Sequence, residues 1–205
     1  MKTPMTTRRD LLLAALPLTL AGAAVAQSPR SSGRLDPTPA CGDQHAGPTP
    51  SQTPAQTEGP YFTPNSPLRA GLYEPGMDGT RLRVGGLVLD PSCRPLANVL
   101  VDLWQADAQG RYDNAGYRLR GHQFTDAEGR WQFETIVPAI YPGRTRHLHV
   151  KLQAPRGRVL TTQLYFPSDA AGNARDRIFD RRLLMNTAGD AEQMIARYDF
   201  VLSTT

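Results

Sequence analysis

His147-Leu148-His149 is the sharpest chemical signal in the chain. It lies in an apolar run with strand character, and residues two apart on a strand project to the same face, so two imidazoles can meet one metal ion. Taken alone, an H-x-H pair is equally compatible with a solvated sheet face. No carboxylate stands in the immediate neighbourhood, which disfavours a ferrous site of the facial-triad type, because that site needs Asp or Glu as its third ligand. The nearby oxygen donors are tyrosines: Tyr141, six residues before His147, and Tyr112, which ends the turn Ala108-Gln109-Gly110-Arg111. A free phenol has a pKa of about 10, so roughly one in a thousand is ionised at neutral pH. A hard trivalent cation reverses that balance by stabilising phenolate oxygen. Singly, each tyrosine reads as a core or rim aromatic with a satisfied hydroxyl.

These residues need elements to hold them. From Thr57 onward most apolar segments are short, alternating and separated by Gly, Pro, Asp or Asn. Strands are predicted over Arg81–Leu89, Asn98–Gln105, Trp131–Val137, His147–Gln153, Val159–Phe166 and Arg197–Leu202. Helical periodicity is confined to Arg175–Leu184 and Ala191–Ala196. The fold class that follows is all-β: an antiparallel β-sandwich with long loops over residues 57–205, preceded by a signal peptide and an extended arm. The arm, residues 27–56, is rich in Pro, Ser, Thr, Gly and Gln and is expected to carry little regular structure.

Residues 1–26 have the parts of an export signal: Arg8-Arg9, an apolar run from Leu11 to about Val25, and Ala24-Val25-Ala26 before a cleavage point. Thr7-Arg8-Arg9-Asp10-Leu11-Leu12 is similar to the twin-arginine motif of proteins exported already folded. The mature chain is therefore expected outside the cytoplasm, periplasmic or secreted. Removal of residues 1–26 takes away Lys2, Arg8 and Arg9 together with Asp10, so the net charge drops from +4 to +2. That charge is small, and no basic run interleaves with aromatics, so nucleic acid is not an expected partner. No second apolar stretch could span a bilayer, and the mature chain is expected to be free of the membrane. Cys41 and Cys93, the only cysteines, are expected to pair in an oxidising compartment and pin the arm to the domain. His45 and His122 fit no ligand spacing. The arm and the sheet edges are compatible with a homo-oligomer.

Collinear segments carry a resemblance. Val84, then Val101-Asp102-Leu103-Trp104-Gln105-Ala106-Asp107, then Gly110-Arg111-Tyr112 resemble the signature of the intradiol ring-cleavage dioxygenases. Thr57-Glu58-Gly59-Pro60-Tyr61-Phe62, Pro138-Ala139-Ile140-Tyr141, Arg144-Thr145-Arg146-His147-Leu148-His149 and Thr161-Thr162-Gln163-Leu164-Tyr165-Phe166 resemble further elements of that family, in the same order. Cys93, Ala139 and Thr145 depart from the usual residues, and none of these departures removes a ligand. The architecture resembles a protocatechuate dioxygenase subunit, without the long helical N-terminal region of catechol-type members. The resemblance implies Fe(III) held by Tyr112, Tyr141, His147 and His149, with Tyr112 and His147 equatorial and Tyr141 and His149 axial. It implies a catechol-type substrate cleaved with O2 between its hydroxylated carbons to a muconate-type diacid, in aromatic compound catabolism. Tyr141 would take up a substrate proton, Arg144 would stabilise developing negative charge, Gln163 would support the site by hydrogen bonding, and Tyr61 is a candidate pocket wall. Arg69, Arg111 and Arg118 are candidates to meet a substrate carboxylate.

Two other readings compete. A non-catalytic exported β-sandwich that binds an adhesion partner or a carbohydrate would be colourless, whereas ferric tyrosinate is red-brown. A zinc or ferrous site built on the H-x-H pair would lack ferric tyrosinate bands, so metal analysis and a visible spectrum discriminate all three.

Overall fold

A computed structural model describes residues 35, 36, 38 and 52–203. The export signal, Cys41, His45 and most of the arm lie outside the described residues. Among the described residues the strands are β1 (Arg81–Leu89), β2 (Leu100–Trp104), β3 (Arg120–Phe124), β4 (Arg130–Ile136), β5 (His147–Gln153), β6 (Val159–Tyr165), β7 (Asn186–Gly189), β8 (Gln193–Arg197) and β9 (Phe200–Val201), with one short α-helix, α1 (Ala170–Arg175). They form two sheets, ordered β3-β2-β5-β6 and β4-β1-β8-β7, with β9 beside β1.

Strand alternation decides which residues fill the core. Val101 and Leu103 of β2, Leu148, Val150 and Leu152 of β5, and Leu164 of β6 belong to one fully buried apolar cluster with Leu82 and Val84 of β1 and Trp131 and Phe133 of β4. The intervening residues of the first sheet, Trp104, Arg120, His147, His149 and Gln163, are polar or aromatic and are also buried. Their cover comes from the segment before β1: Gln163 Nε2 donates to Thr57 O, Arg120 Nη1 donates to Tyr61 O, and the Phe62 ring packs edge-on against Trp104.

Four features differ from the sequence expectation. Pairing is not wholly antiparallel, because β1 runs parallel to β8 and β9. Ala191–Ala196, made of good helix formers, lies largely in β8, because pairing with β1 overrides local propensity. The helix expected over Arg175–Leu184 lies instead at Ala170–Arg175, followed by a 3-10 turn at Arg181–Leu183 whose Arg182 N–H is capped by Asp180. β3 and β7 are additional strands; Arg120-Gly121-His122-Gln123-Phe124 has no apolar alternation and is a strand because β2 supplies its partners. Cys93, in the turn after β1, is disulfide-bonded, and its expected partner Cys41 lies outside the described residues.

Candidate metal centre

β5 sets both histidines. His147 pairs with Tyr165 across the ladder, and His149 stands in a row between Trp104 of β2 and Gln163 of β6. The Trp104 indole stacks on the His149 ring at 4.8 Å and 10°, fixing its plane. His147 Nδ1 lies 2.7 Å from Thr145 O, an atom that only accepts, so Nδ1 carries the proton and the neutral ring turns an Nε2 lone pair into the site.

Two loops bring the tyrosines. After β2 the chain turns on Asp107, whose Oδ1 accepts the backbone N–H of Gln109 and Arg111 and whose Oδ2 accepts Arg111 Nε. The same Asp-to-Arg staple, four residues long, closes the turns at Asp90–Arg94 and Asp126–Arg130. In the Asp107 turn it delivers Tyr112 as the next residue. The Tyr141 loop is tied to this turn by Ala139 N–H donating to Asp107 O at 3.0 Å. Gly110 is where the loops touch: it stands at φ +77°, and a Cβ there would fall 2.5 Å from Ile140 O. Gly110→Ala is expected to force the two tyrosine loops apart and add left-handed backbone strain, costing about 2–4 kcal/mol. Urea unfolding should show the loss, and metal uptake should fall with it; a variant with parental stability would contradict this account.

The donor atoms converge. Tyr112 Oη is 3.3 Å from His147 Nε2 and 3.1 Å from His149 Nε2, and the two Nε2 atoms are 3.1 Å apart. Protons can satisfy at most two edges of this triangle, since His147 Nε2 has none and each of the others has at most one. His149 Nδ1 is buried without a hydrogen-bond partner. A cation at the centre satisfies every edge, and one phenol oxygen with two imidazole nitrogens suits a hard to intermediate ion such as Fe(III). Tyr141 stands one ring away, edge-on to Tyr112 at 6.0 Å, with its hydroxyl 2.8 Å from Tyr61 Oη.

The electrostatics of the site favour neutral groups. Burial pushes the Tyr112 phenol up, and the charges of Arg144 and Arg120 oppose that rise. Burial pulls His147 down to about 4 and His149 well below its usual value. Both imidazoles are thus ready to ligate without first losing a proton. The folded state refuses protons that the unfolded chain accepts, so stability present above the unfolded pKa of 6.5 is lost as pH falls towards 4. For the metal-free protein we expect a loss on the order of 3 kcal/mol from His147 alone. Urea midpoints at pH 7 and near pH 4.5 measure it, and an unchanged midpoint would argue against a neutral buried pair.

Arg144 and Gln163 meet beside the triangle. Arg144 Nη2 donates to Gln163 Oε1 at 2.6 Å, its Nε donates to Asp176 Oδ2 at 2.8 Å, and Gln163 Nε2 donates to Thr57 O at 3.0 Å. Tyr61 stacks on Tyr112 at 4.5 Å, so it lies within the site. Of the three arginines considered for a substrate carboxylate, Arg69 is occupied by Glu74 and by Tyr117 O and Arg120 O, and Arg111 by Asp107 and Gln109. Arg118 and Arg111 both line a cavity of about 420 Å³ together with Tyr112. His122 is bonded to Ser66, which also donates to Asp102, so it has an ordinary structural role. Sequence reasoning missed Trp104 as the ring that orients His149, Asp176 as the partner of Arg144, and Arg120. The same-face spacing of Asp102, Trp104 and the histidines could have flagged Trp104.

Comparison with known proteins shows which family the sequence resembles. A family model described as Dioxygenase matches residues 57–204. The chain is 34% identical over 153 residues to the protocatechuate 3,4-dioxygenase beta chain of Burkholderia cepacia, covering 60% of this chain and 65% of that protein. It is 32% identical over 143 residues to catechol 1,2-dioxygenase 2 of Acinetobacter lwoffii, covering 57% and 52%. It thus spans about half to two thirds of the length of these curated relatives. The dioxygenase domain of a dioxygenase carbohydrate-binding protein fusion from the cellulolytic bacterium Streptomyces sp. SirexAA-E superposes with a TM-score of 0.73 at 50% identity, covering 76% of this chain and 100% of that one.

Proposed function

The chain belongs to the intradiol ring-cleavage dioxygenase family, and from that premise we propose that it is a non-haem Fe(III) enzyme that opens a catechol-type ring between its two hydroxylated carbons. Both atoms of O2 enter the product, a muconate-type diacid. The observation that carries this reading is the convergence of Tyr112 Oη, His147 Nε2 and His149 Nε2 to within 3.3 Å of one another. Tyr141 is assigned as the fourth ligand by its place one ring away from Tyr112.

Tyr112, Tyr141, His147 and His149 would hold ferric iron, which would supply the positive charge that draws an ionised catechol and makes its ring receptive to O2. The protein's own groups do the rest. Tyr141, as phenolate, accepts one catechol proton at Oη, and Tyr61 Oη, 2.8 Å away, holds the resulting phenol by a hydrogen bond. The second hydroxyl proton leaves to solvent. Arg144 presents a cation aligned by Asp176 and Gln163 to stabilise the negative charge that develops on the ring oxygens. The aromatic wall of Tyr61, Tyr112 and Trp104 restricts water.

We place this activity outside the cytoplasm, on the strength of the signal read in residues 1–26. A 50% identical domain from a cellulolytic bacterium supports plant-derived phenols as the substrate source. Oxygen uptake with a panel of catechol, protocatechuate and hydroxyquinol, combined with metal analysis and product identification, tests the reading. One O2 consumed per ring with a diacid product is expected. Extradiol cleavage, or zinc in place of iron, would sink it.

A further inference from the structure

Arg120 is 1% exposed, yet its hydrogen bonds end on no carboxylate. Burying a guanidinium costs several kcal/mol, and the Asp113 and Asp102 carboxylates offset this only through space, without a salt bridge, so its retention calls for a reason. Nε and Nη2 both donate to Asp113 O, at 2.9 and 2.7 Å, Nη1 donates to Tyr61 O at 2.7 Å, and Nη2 also reaches Asn114 Oδ1 at 3.5 Å. The two carbonyls belong to segments far apart in the chain. Asp113 follows Tyr112 directly, and Tyr61 contributes the ring stacked on Tyr112 and the hydroxyl bonded to Tyr141. Leu119, immediately before Arg120, is held at φ 55°, a left-handed conformation that a leucine adopts only when its surroundings impose it. On the other side Arg69 Nε donates to Arg120 O, so the arginine's own backbone is also fixed.

We propose that Arg120 is a positioning residue that clips the Tyr61 segment to the Tyr112 loop, and thereby sets the Tyr61–Tyr112 stack and the Tyr61–Tyr141 hydrogen bond. Its catalytic consequence rests on the dioxygenase reading; its geometry does not. The rigid fork matters as much as the charge, because one side chain must reach two carbonyls of fixed separation. A lysine keeps the charge without the fork.

Arg120→Lys and Arg120→Met test this in two ways. In the metal-free protein, hydrogen–deuterium exchange should quicken by about tenfold or more across 57–66 and 108–118, while the buried ladders of β1, β2 and β5 keep their protection. In the iron-loaded protein, kcat should fall about 10- to 100-fold with KM within about threefold of the parent, and the ferric tyrosinate band should shift. Combining Arg120→Lys with Tyr61→Phe should cost less than the two separate effects together, since both act through one ring pair. If Arg120→Met does not fold, Arg120→Lys decides. The proposal is overturned if Arg120→Lys retains parental exchange, band and kcat, or if exchange rises uniformly over both sheets. A parent that binds no iron and consumes no O2 would defeat the dioxygenase reading, and the exchange measurement would still decide the role of Arg120.

Discussion

Tyr112→Phe is expected to lose most of its visible absorption and more than about 100-fold in turnover, beyond the 10- to 100-fold typical of removing a group that only orients a ligand. The substitution deletes one oxygen and leaves the ring, so the stack on Tyr61 at 4.5 Å and the local packing stay in place. What disappears is one corner of the donor triangle. Without that oxygen the two imidazoles are left with Tyr141 as the single phenol donor, a set less suited to a trivalent ion. Iron content, the tyrosinate band and oxygen uptake should fall together while the melting temperature changes little. An unaltered spectrum in this variant would remove Tyr112 from the ligand set.

Arg144→Met should damage stability and turnover at once, and a second substitution can separate the two. The Asp176 carboxyl is pushed up by burial, but the backbone N–H groups of Thr145 and Ile178 and the Arg144 guanidinium outweigh this and hold it below its usual value, ionised at neutral pH. Its side chain is 1% exposed. Removing the guanidinium strands that buried charge, at a cost of about 3 kcal/mol, the lower end of the range because two backbone donors remain. Turnover should fall by about 100-fold through loss of the cation beside the substrate. Adding Asp176→Asn to Arg144→Met removes the stranded charge and should recover part of the stability without recovering turnover; the recovery is partial because the amide oxygen can accept from only one of the Thr145 and Ile178 N–H groups. Denaturant midpoints and kcat on the single and double variants check this. Recovery of both would reduce Arg144 to a structural ion pair.

Much of the site is legible along the chain because its information is local. Alternation on β5 puts His147 and His149 on one face whatever surrounds the strand. The Asp107-to-Arg111 staple is closed by groups within four residues of each other, so the turn that delivers Tyr112 is likewise encoded locally. Local propensity was a poorer guide where it competed with pairing. Gln193–Arg197 has helix-forming composition and is a strand because β1 offers it an edge. Arg120–Phe124 has little apolar content and is a strand because β2 does.

By itself the sequence determined the sandwich class, the order of the segments that carry the proposed ligands and the residue types that could hold a ferric ion. Only the tertiary structure decided which groups meet the proposed site residues: Trp104 against His149, Asp176 behind Arg144, Tyr61 on Tyr141, and Arg120 across two loops. These partners are separated by tens of residues, and along the chain an arginine, an aspartate or a tyrosine looks the same whether it meets water or a buried carbonyl. Desolvation distinguishes the two cases, and desolvation exists only once the segments around the sheet have closed over it.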